Sequence, residues 1–392
     1  MKVLVAEDDR ISRAMLEKAI RREGFEVVGA GDGQEAWELF QEDPANIVVT
    51  DWMMPEMDGL ELCRRIRSAR VPHYVYIIFV SAKGEKDAVV AGLEAGADDY
   101  ITKPYDPAEL RVRLKAGRRI VELERRLKDQ NEELRRYLEA AAEVQRSLLP
   151  KDLPQLPHVE FAARFIPSAF VSGDIYNVFC LDEEHIGFYQ IDVSGHGVEA
   201  AFLSVALYQR LSPHLHSQSL LKVSMECSPY YHVSKPSEVV SILDQEFRTL
   251  FEEQGRYFTF LYGLLDLKQG ELRLSRAGHT LPFLVHRGGE VECLDFGGPP
   301  LGFGLPREDA EDYVLRLSEG ERLVVMSDGI LEAAAPSGGI YGPERVKEVL
   351  RRHWDLPLEE VLNCLIDEAR AYQGTEEFSD DVSILALQWR SS

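Results

Sequence analysis

The chain has 392 residues, more than one hydrophobic core usually spans, and its 67 acidic side chains outnumber 44 basic ones to leave a formal net charge of −23. That surplus opposes binding to a nucleic-acid backbone, which needs clustered Lys and Arg, and it suits hard divalent cations, which take oxygen ligands. The five cysteines (Cys63, Cys180, Cys227, Cys293, Cys364) are scattered without C-x-x-C spacing, which argues against a disulfide framework or a zinc site, and no run of roughly 18 apolar residues occurs, so the expectation is a soluble cytoplasmic protein.

From Met1 to about Gly117, short apolar runs alternate with amphipathic helical patterns: VLVA, a helix through 12-SRAMLEKAIRRE-23, EVVGA, a helix from Gln34, NIVVT, YIIFVS and DDYIT. This alternation predicts a doubly wound parallel sheet. Ligands of such sheets sit beyond the carboxyl ends of the strands. Glu7 and Asp8, Asp51, Ser81 and Lys103 each end or follow one of these runs, and they are expected to converge.

From Ile120 the apolar spacing changes to alternating threes and fours: Ile120, Leu123, Leu127, Gln130, Leu134, Tyr137, Ala141, Val144 and Leu148. Two readings fit, a coiled coil that makes a homodimer through residues 120–148, or a helix packed on its own domain. The Glu and Arg on the other faces favour the dimer. Pro150, Pro154 and Pro157 end the helix.

Beyond the prolines the pattern is mostly strands: VEFAARFI, IGFYQIDV, FTFLYGLLDL, ELRLSRAG, LPFLVHR, EVECLDF, YVLRLS, ERLVVMS and VSILALQW. Helical patterns interrupt at 198–211, 237–251, 344–352 and 358–372, which predicts an α+β layered domain. Residues 212–236 lack periodicity and read as an inserted loop. The domain expectation is 1–117, a helical linker 118–150, and 151–392.

The first acidic group resembles a known family. The motifs 7-EDD-9, 50-TDWMMPEMDG-59, 80-VSAKG-84 and 102-TKPYD-106 resemble, in order and spacing, the receiver domain of two-component response regulators, over residues 1 to about 117. The resemblance implies a flavodoxin-like fold in which Asp51 accepts a phosphoryl group. It implies Mg²⁺ held by Asp8, Asp51 and the backbone carbonyl of Met53, with Glu7 reaching the ion through water. Lys103 and Ser81 would contact phosphoryl oxygens and Tyr100 would be the aromatic switch. A sensor histidine kinase would be the phosphodonor.

A second set, 172-SGD-174, 192-DVSGHG-197, 327-SDG-329 and 379-SDDVS-383, puts aspartates beside strands and glycines across about two hundred residues. With 277-AGHTLP-282 and 143-EVQRSLLP-150 it resembles the metal-dependent PPM-type protein serine/threonine phosphatases of the SpoIIE and RsbU branch. The resemblance implies two antiparallel sheets flanked by helices and two Mn²⁺ or Mg²⁺ ions. Asp192 would bridge the ions, the Val193 carbonyl would join one, Asp328 and Asp380 would ligate the other, and Asp174 would hold a water on the metal. The implied substrate is a phosphoprotein, an anti-sigma-factor antagonist.

Three departures qualify the pattern. Asn177 stands where the first motif often carries a second acid, and Arg164, the arginine nearest that motif, lies upstream on a strand. His196 invites a general-acid role, although its spacing favours a turn residue. His214, His216, Cys227 and His232 could imitate a zinc cluster, which an unpatterned loop disfavours. The rival to an enzyme is a catalytically inactive phosphatase fold acting as a phosphorylation-gated scaffold.

Overall fold

The alternating elements near the N-terminus form one parallel sheet. Strands β1 (Lys2–Ala6), β2 (Glu26–Ala30), β3 (Ile47–Asp51), β4 (Tyr76–Ala82) and β5 (Asp99–Lys103) lie in the order β2-β1-β3-β4-β5. Helices α1 (Arg10–Arg22), α2 (Gly33–Glu42), α3 (Gly59–Ser68) and α4 (Lys86–Glu94) connect them. The computed structural model describes residues 1–82, 86–195, 197–214, 219–226, 230–251, 255–303 and 310–390. The chain divides into two units, Met1–Arg135 and Arg136–Ser392.

In the first unit the sheet is buried on both faces. Val3, Val5, Ile47, Val49, Ile78 and Val80 serve one core, while Leu4, Val48, Ile77 and Phe79 serve the other. This is why its strands read as continuous apolar runs instead of alternating ones. Several acids are helix caps: Asp9, Asp32 and Asp58 accept the backbone N–H of Ser12, Glu35 and Glu61, each at 2.7 Å.

Helix α5 (Pro107–Leu148) has 42 residues and runs uninterrupted through position 117. Leu110, Leu114 and Val121 are buried in a core of the first unit, and Ala142 and Gln145 are buried in the second. Leu123, Leu127 and Leu134 of the expected seam are 52%, 54% and 56% exposed. The two ends of α5 are thus packed on the unit each belongs to, Leu148 of the seam lying against a core of the second, while the middle of the seam is exposed.

The second unit has two five-stranded antiparallel sheets. One, in the order β15-β12-β11-β8-β7, contains β7 (Ile175–Cys180), β8 (His185–Val193), β11 (Phe258–Asp266), β12 (Glu271–Ala277) and β15 (Tyr313–Arg316). The other, β14-β13-β16-β17-β6, contains β6 (Val159–Ile166), β13 (Phe283–Val285), β14 (Val291–Cys293), β16 (Arg322–Met326) and β17 (Val382–Trp389). Helices α6 (Val198–Arg210) and α7 (Pro236–Phe251) contribute to a core with the first sheet, and α9 (Gly342–Arg352) and α10 (Leu358–Gln373) to one with the second. A short α8 (Asp328–Leu331) follows β16.

Period-2 alternation decides what each strand residue faces. In β8, Ile186 and Phe188 join the core between the sheets, while Tyr189, Ile191 and Val193 join the helix-covered core. Phe188 is 1% exposed, and Gly263 opposite it leaves room for the ring, since a Cβ there would lie 2.2 Å from the ring carbon Cζ. Truncation to Phe188→Ala is expected to destabilise the second unit by about 3–5 kcal/mol, read from urea unfolding.

Three strands depart from the sequence reading. β7 was not among the expected strands; all but its last residue are buried, so 175-IYNVFC-180 shows no alternation. The segment expected as a loop contains a two-stranded sheet, β9 (Lys222–Ser224) paired with β10 (Tyr231–Val233), whose three-residue strands are too short to display a period.

Candidate functional site

In the first unit, parallel register brings the expected residues to one edge. Ala6 pairs with Thr50, Asp51 with Val80, and Ser81 with Thr102, so Glu7, Asp51, Ser81 and Lys103 end up side by side. Carboxylate oxygens of Glu7, Asp8 and Asp51 lie within 4.8 Å of one another, close enough for one cation. Lys103 Nζ donates to Asp51 Oδ2 at 2.7 Å and to both Glu7 oxygens at 2.7 and 2.9 Å. The Trp52 N–H donates to Asp51 Oδ1 at 2.6 Å, leaving the carboxylate oriented from both sides.

Burial pushes the Glu7 carboxyl above its usual range, with the Lys103 hydrogen bond opposing that rise. For Lys103 burial acts downward, but the bonds to Asp51 and Glu7 outweigh it and hold the ammonium above its ordinary value. Ser81 is buried and shares a small cleft with Tyr100, Trp52 and Phe79. Tyr100 is partly exposed and Met53 exposed. Asp9 turns away to cap α1. Lys83 and Gly84 of the expected motif lie outside the described residues.

In the second unit, the acids meet where the two sheets part. Asp192 lies near the end of β8, Asp328 opens α8 after the Ser327 that follows β16, and Asp380 precedes β17; in β8, Asp192 shares its phase with the inter-sheet residues Phe188 and Gln190. Asp192, Val193, Asp328 and Asp380 line a cavity of about 590 Å³ together with Thr259 and Ser194. Among the described residues lining it, none is basic. Asp174 is only 2% exposed and accepts a hydrogen bond from Ser383 Oγ at 2.5 Å.

Burial, followed by repulsion from Asp328 and Asp380, raises the Asp192 carboxyl to about 8. Burial and Asp380 raise Asp328 to about 6, and burial with Asp192 raises Asp174. A cleft of mutually repelling oxygen donors without a cationic side chain fits hard divalent cations. Among the described residues only Glu7, Asp8 and Asp51 close to a one-ion spacing, so the second site's aspartates are set wider.

Asp381 was not singled out from the sequence, yet it organises this site. Its carboxylate accepts from Ser168 N at 2.7 Å, Ser168 Oγ at 2.9 Å and Gly173 N at 2.9 Å, fastening the loop that leads to Asp174. His279 of AGHTLP is fully buried, with Nδ1 at 2.8 Å from the Thr259 hydroxyl, and burial drops its pKa to about 3. The neighbouring-acid motif 379-SDDVS-383 could have flagged Asp381, but nothing local distinguishes its role from that of Asp380.

Asn177 is buried in β7 on the phase of Ile175 and Phe179, which face the helix-covered core, and its Oδ1 accepts the Val178 N–H at 2.9 Å. Arg164 Nε donates to Asn363 on α10 at 2.9 Å and is not among the cavity residues. His196 lies outside the described residues, as do His216 and Cys227. His232 pairs with Glu238 at 3.3 Å.

Residues 182–390 match the family described as Stage II sporulation protein E (SpoIIE), and residues 3–115 match the response regulator receiver domain. Over 114 residues the chain is 45% identical to the transcriptional regulatory protein CseB of Streptomyces coelicolor, a match covering 29% of this chain and 47% of that protein. It is 40% identical to the phosphate regulon transcriptional regulatory protein PhoB of Pseudomonas aeruginosa, covering 29% of this chain and 50% of that one. The match thus spans about half the length of these curated relatives. Among solved structures, the SiaA-PP2C domain of Pseudomonas aeruginosa superposes with a TM-score of 0.55 at 20% identity, covering 67% of this chain and 99% of that domain, and shares the fold.

Proposed function

Because the chain belongs to the SpoIIE family and carries a response regulator receiver domain, we propose that it is a response regulator whose output is a metal-dependent protein serine/threonine phosphatase. The observation that carries this reading is the cavity of about 590 Å³ where Asp192, Asp328 and Asp380 converge from three separate segments. Three carboxylates that converge on an open cavity, with no basic side chain among the described residues lining it, suit a metal-dependent enzyme better than an inactive scaffold.

Asp192, Asp328 and Asp380 would hold two Mn²⁺ or Mg²⁺ ions with the Val193 carbonyl, and Asp174 would hold a water on the metal. When bound, the ions supply the activated nucleophile and neutralise phosphoryl charge. The chain's own part is to orient the phosphoester. Thr259, Ser194 and Ser379 offer neutral hydroxyls along the cavity wall. A phosphoserine or phosphothreonine in an extended peptide is the substrate class that fits, and an anti-sigma-factor antagonist is the partner we assign to it.

In the first unit, Asp51 would take the phosphoryl group from a sensor histidine kinase. Asp8, Asp51 and the Met53 carbonyl would hold Mg²⁺ with Glu7, while Lys103 and Ser81 meet the phosphoryl oxygens and Tyr100 reports the change. Residues 118–150 would join the receiver (1–117) to the phosphatase (151–392) and pair two copies of the chain. The exposed Leu123, Leu127 and Leu134 support that pairing.

One experiment tests the regulatory reading. Wild type and Leu127→Glu/Leu134→Glu are compared by sedimentation and by Mn²⁺-dependent hydrolysis of a phosphoserine peptide, with and without acetyl phosphate. Unpaired charges in an apolar seam cost several kcal/mol, so the double variant is expected to be monomeric. It keeps basal turnover, since the cavity lies within one chain, and loses its response to acetyl phosphate. A wild type that is monomeric at micromolar concentration, or a monomeric variant that still switches fully, refutes the linker reading.

A further inference from the structure

Gln145 belongs to the stretch 143-EVQRSLLP-150, which the proposed chemistry does not use. It is 6% exposed near the end of α5, although Val144 beside it is 64% exposed. Its amide makes three hydrogen bonds. The Ser172 N–H donates to Oε1 at 3.0 Å, and Nε2 donates to the Ser172 carbonyl at 2.6 Å and to Ser204 Oγ at 3.1 Å. One side chain thus satisfies both backbone groups of Ser172, as a neighbouring strand would. Ser172 is fully buried, so removing the amide strands a donor and an acceptor away from water.

Ser172 in turn holds the acid beside it. Its Oγ accepts the Asp174 N–H at 3.0 Å, and Asp174 then accepts from Ser383. Gly173 between them is pressed against the end of β8, since a Cβ there would lie 2.8 Å from the Val193 carbonyl oxygen. Ala142, Val171 and Ala201 form a small apolar cluster that packs α5 against the same loop and against α6. The segment 168–174 is therefore fastened twice. Asp381, at the start of β17, holds Ser168 and Gly173, and Gln145 holds Ser172 from the helix that begins in the receiver unit.

The geometry points to Gln145 as a positioning residue whose amide, carried on α5, sets the placement of Ser172–Asp174 beside Asp192 and so couples displacement of the end of α5 to phosphatase turnover. This deepens the proposed function and rests on it for the turnover, though not for the clamp itself. Gln145 is absent from the cavity wall and acts only through the loop.

The test uses the full-length chain. Wild type, Gln145→Met and Ser204→Ala are compared by amide hydrogen exchange in chelator, then by turnover of p-nitrophenyl phosphate in Mn²⁺. In Gln145→Met, peptides across 168–174 are expected to exchange about tenfold faster, the effect of one lost buried hydrogen-bond pair, while β16 and β17 keep wild-type exchange. Ser204→Ala keeps both bonds to Ser172 and should exchange there as wild type does. In Gln145→Met, kcat falls about tenfold with KM nearly unchanged, because the part of the loop that Gln145 holds, Ser172 to Asp174, is absent from the cavity wall and acts by placing an acid.

Gln145→Glu retains the acceptor for the Ser172 N–H and serves as a second variant should the methionine substitution unfold the protein; it also accelerates exchange at 168–174. Unchanged exchange across that segment overturns the inference, and so does rapid exchange with wild-type kcat. A wild-type chain without Mn²⁺-dependent turnover refutes the phosphatase reading, and the exchange result then decides by itself whether Gln145 holds the loop.

Discussion

Asp192→Ala is expected to lower Mn²⁺-dependent phosphatase turnover on the order of 10²-fold or more, because it deletes the carboxylate on which the proposed metal pair depends. The same substitution should stabilise the metal-free protein at neutral pH. Burial and the neighbouring Asp328 and Asp380 hold the Asp192 carboxyl near 8, against 3.8 for an unperturbed group. A folded pKa above the unfolded one means that the native state binds the proton more tightly, so this residue's contribution to stability falls as pH rises from about 4 to about 8. In chelator, the variant should therefore melt higher than wild type at pH 7, with the gap closing towards pH 4. Turnover within threefold of wild type would remove Asp192 from the mechanism. A metal-free variant that melts lower than wild type at pH 7 would mean that the carboxylate is not under repulsion.

Asp51→Asn is expected to abolish phosphoryl transfer from acetyl phosphate in Mg²⁺, measured as the loss of a one-phosphoryl increase in intact mass. Asp51 is the carboxylate that Lys103 Nζ reaches at 2.7 Å while its other oxygen accepts from the Trp52 N–H at 2.6 Å. An ammonium in that place lets a second anion approach, because it neutralises the charge of the attacking carboxylate and of the incoming phosphoryl group. Asn keeps the shape and loses the nucleophile. Equal labelling of the variant would move the acceptor to another residue, Glu7 and Asp8 being the acids clustered with it.

Local sequence determined much of this molecule. The apolar runs of the first unit announced parallel strands because both faces of that sheet are buried, and the carboxyl-end positions of Glu7, Asp51, Ser81 and Lys103 then placed them together without long-range information. In the second unit the sequence offered only aspartates beside apolar runs, Asp192 and Asp328 near the ends of two and Asp380 before a third, and their grouping was an expectation from family resemblance; the antiparallel sheets bring them to one cavity. Tertiary structure decided what pattern could not encode. Asp380 and Asp381 are chemically identical neighbours just ahead of β17, and only the folded chain settles that the first lines the cavity while the second, 5% exposed, holds Ser168 and Gly173. Gln145 reads locally as one more polar residue of a charged helix; its burial follows from the meeting of α5 with a loop 27 residues further along the chain. β7 escaped the sequence because Asn177 interrupts its apolar run while burial on both faces leaves no alternation, and the β9–β10 pair because three residues carry no period. Periodicity reports which faces a segment buries, whereas the partner on the other side of each face is a property of the folded chain alone.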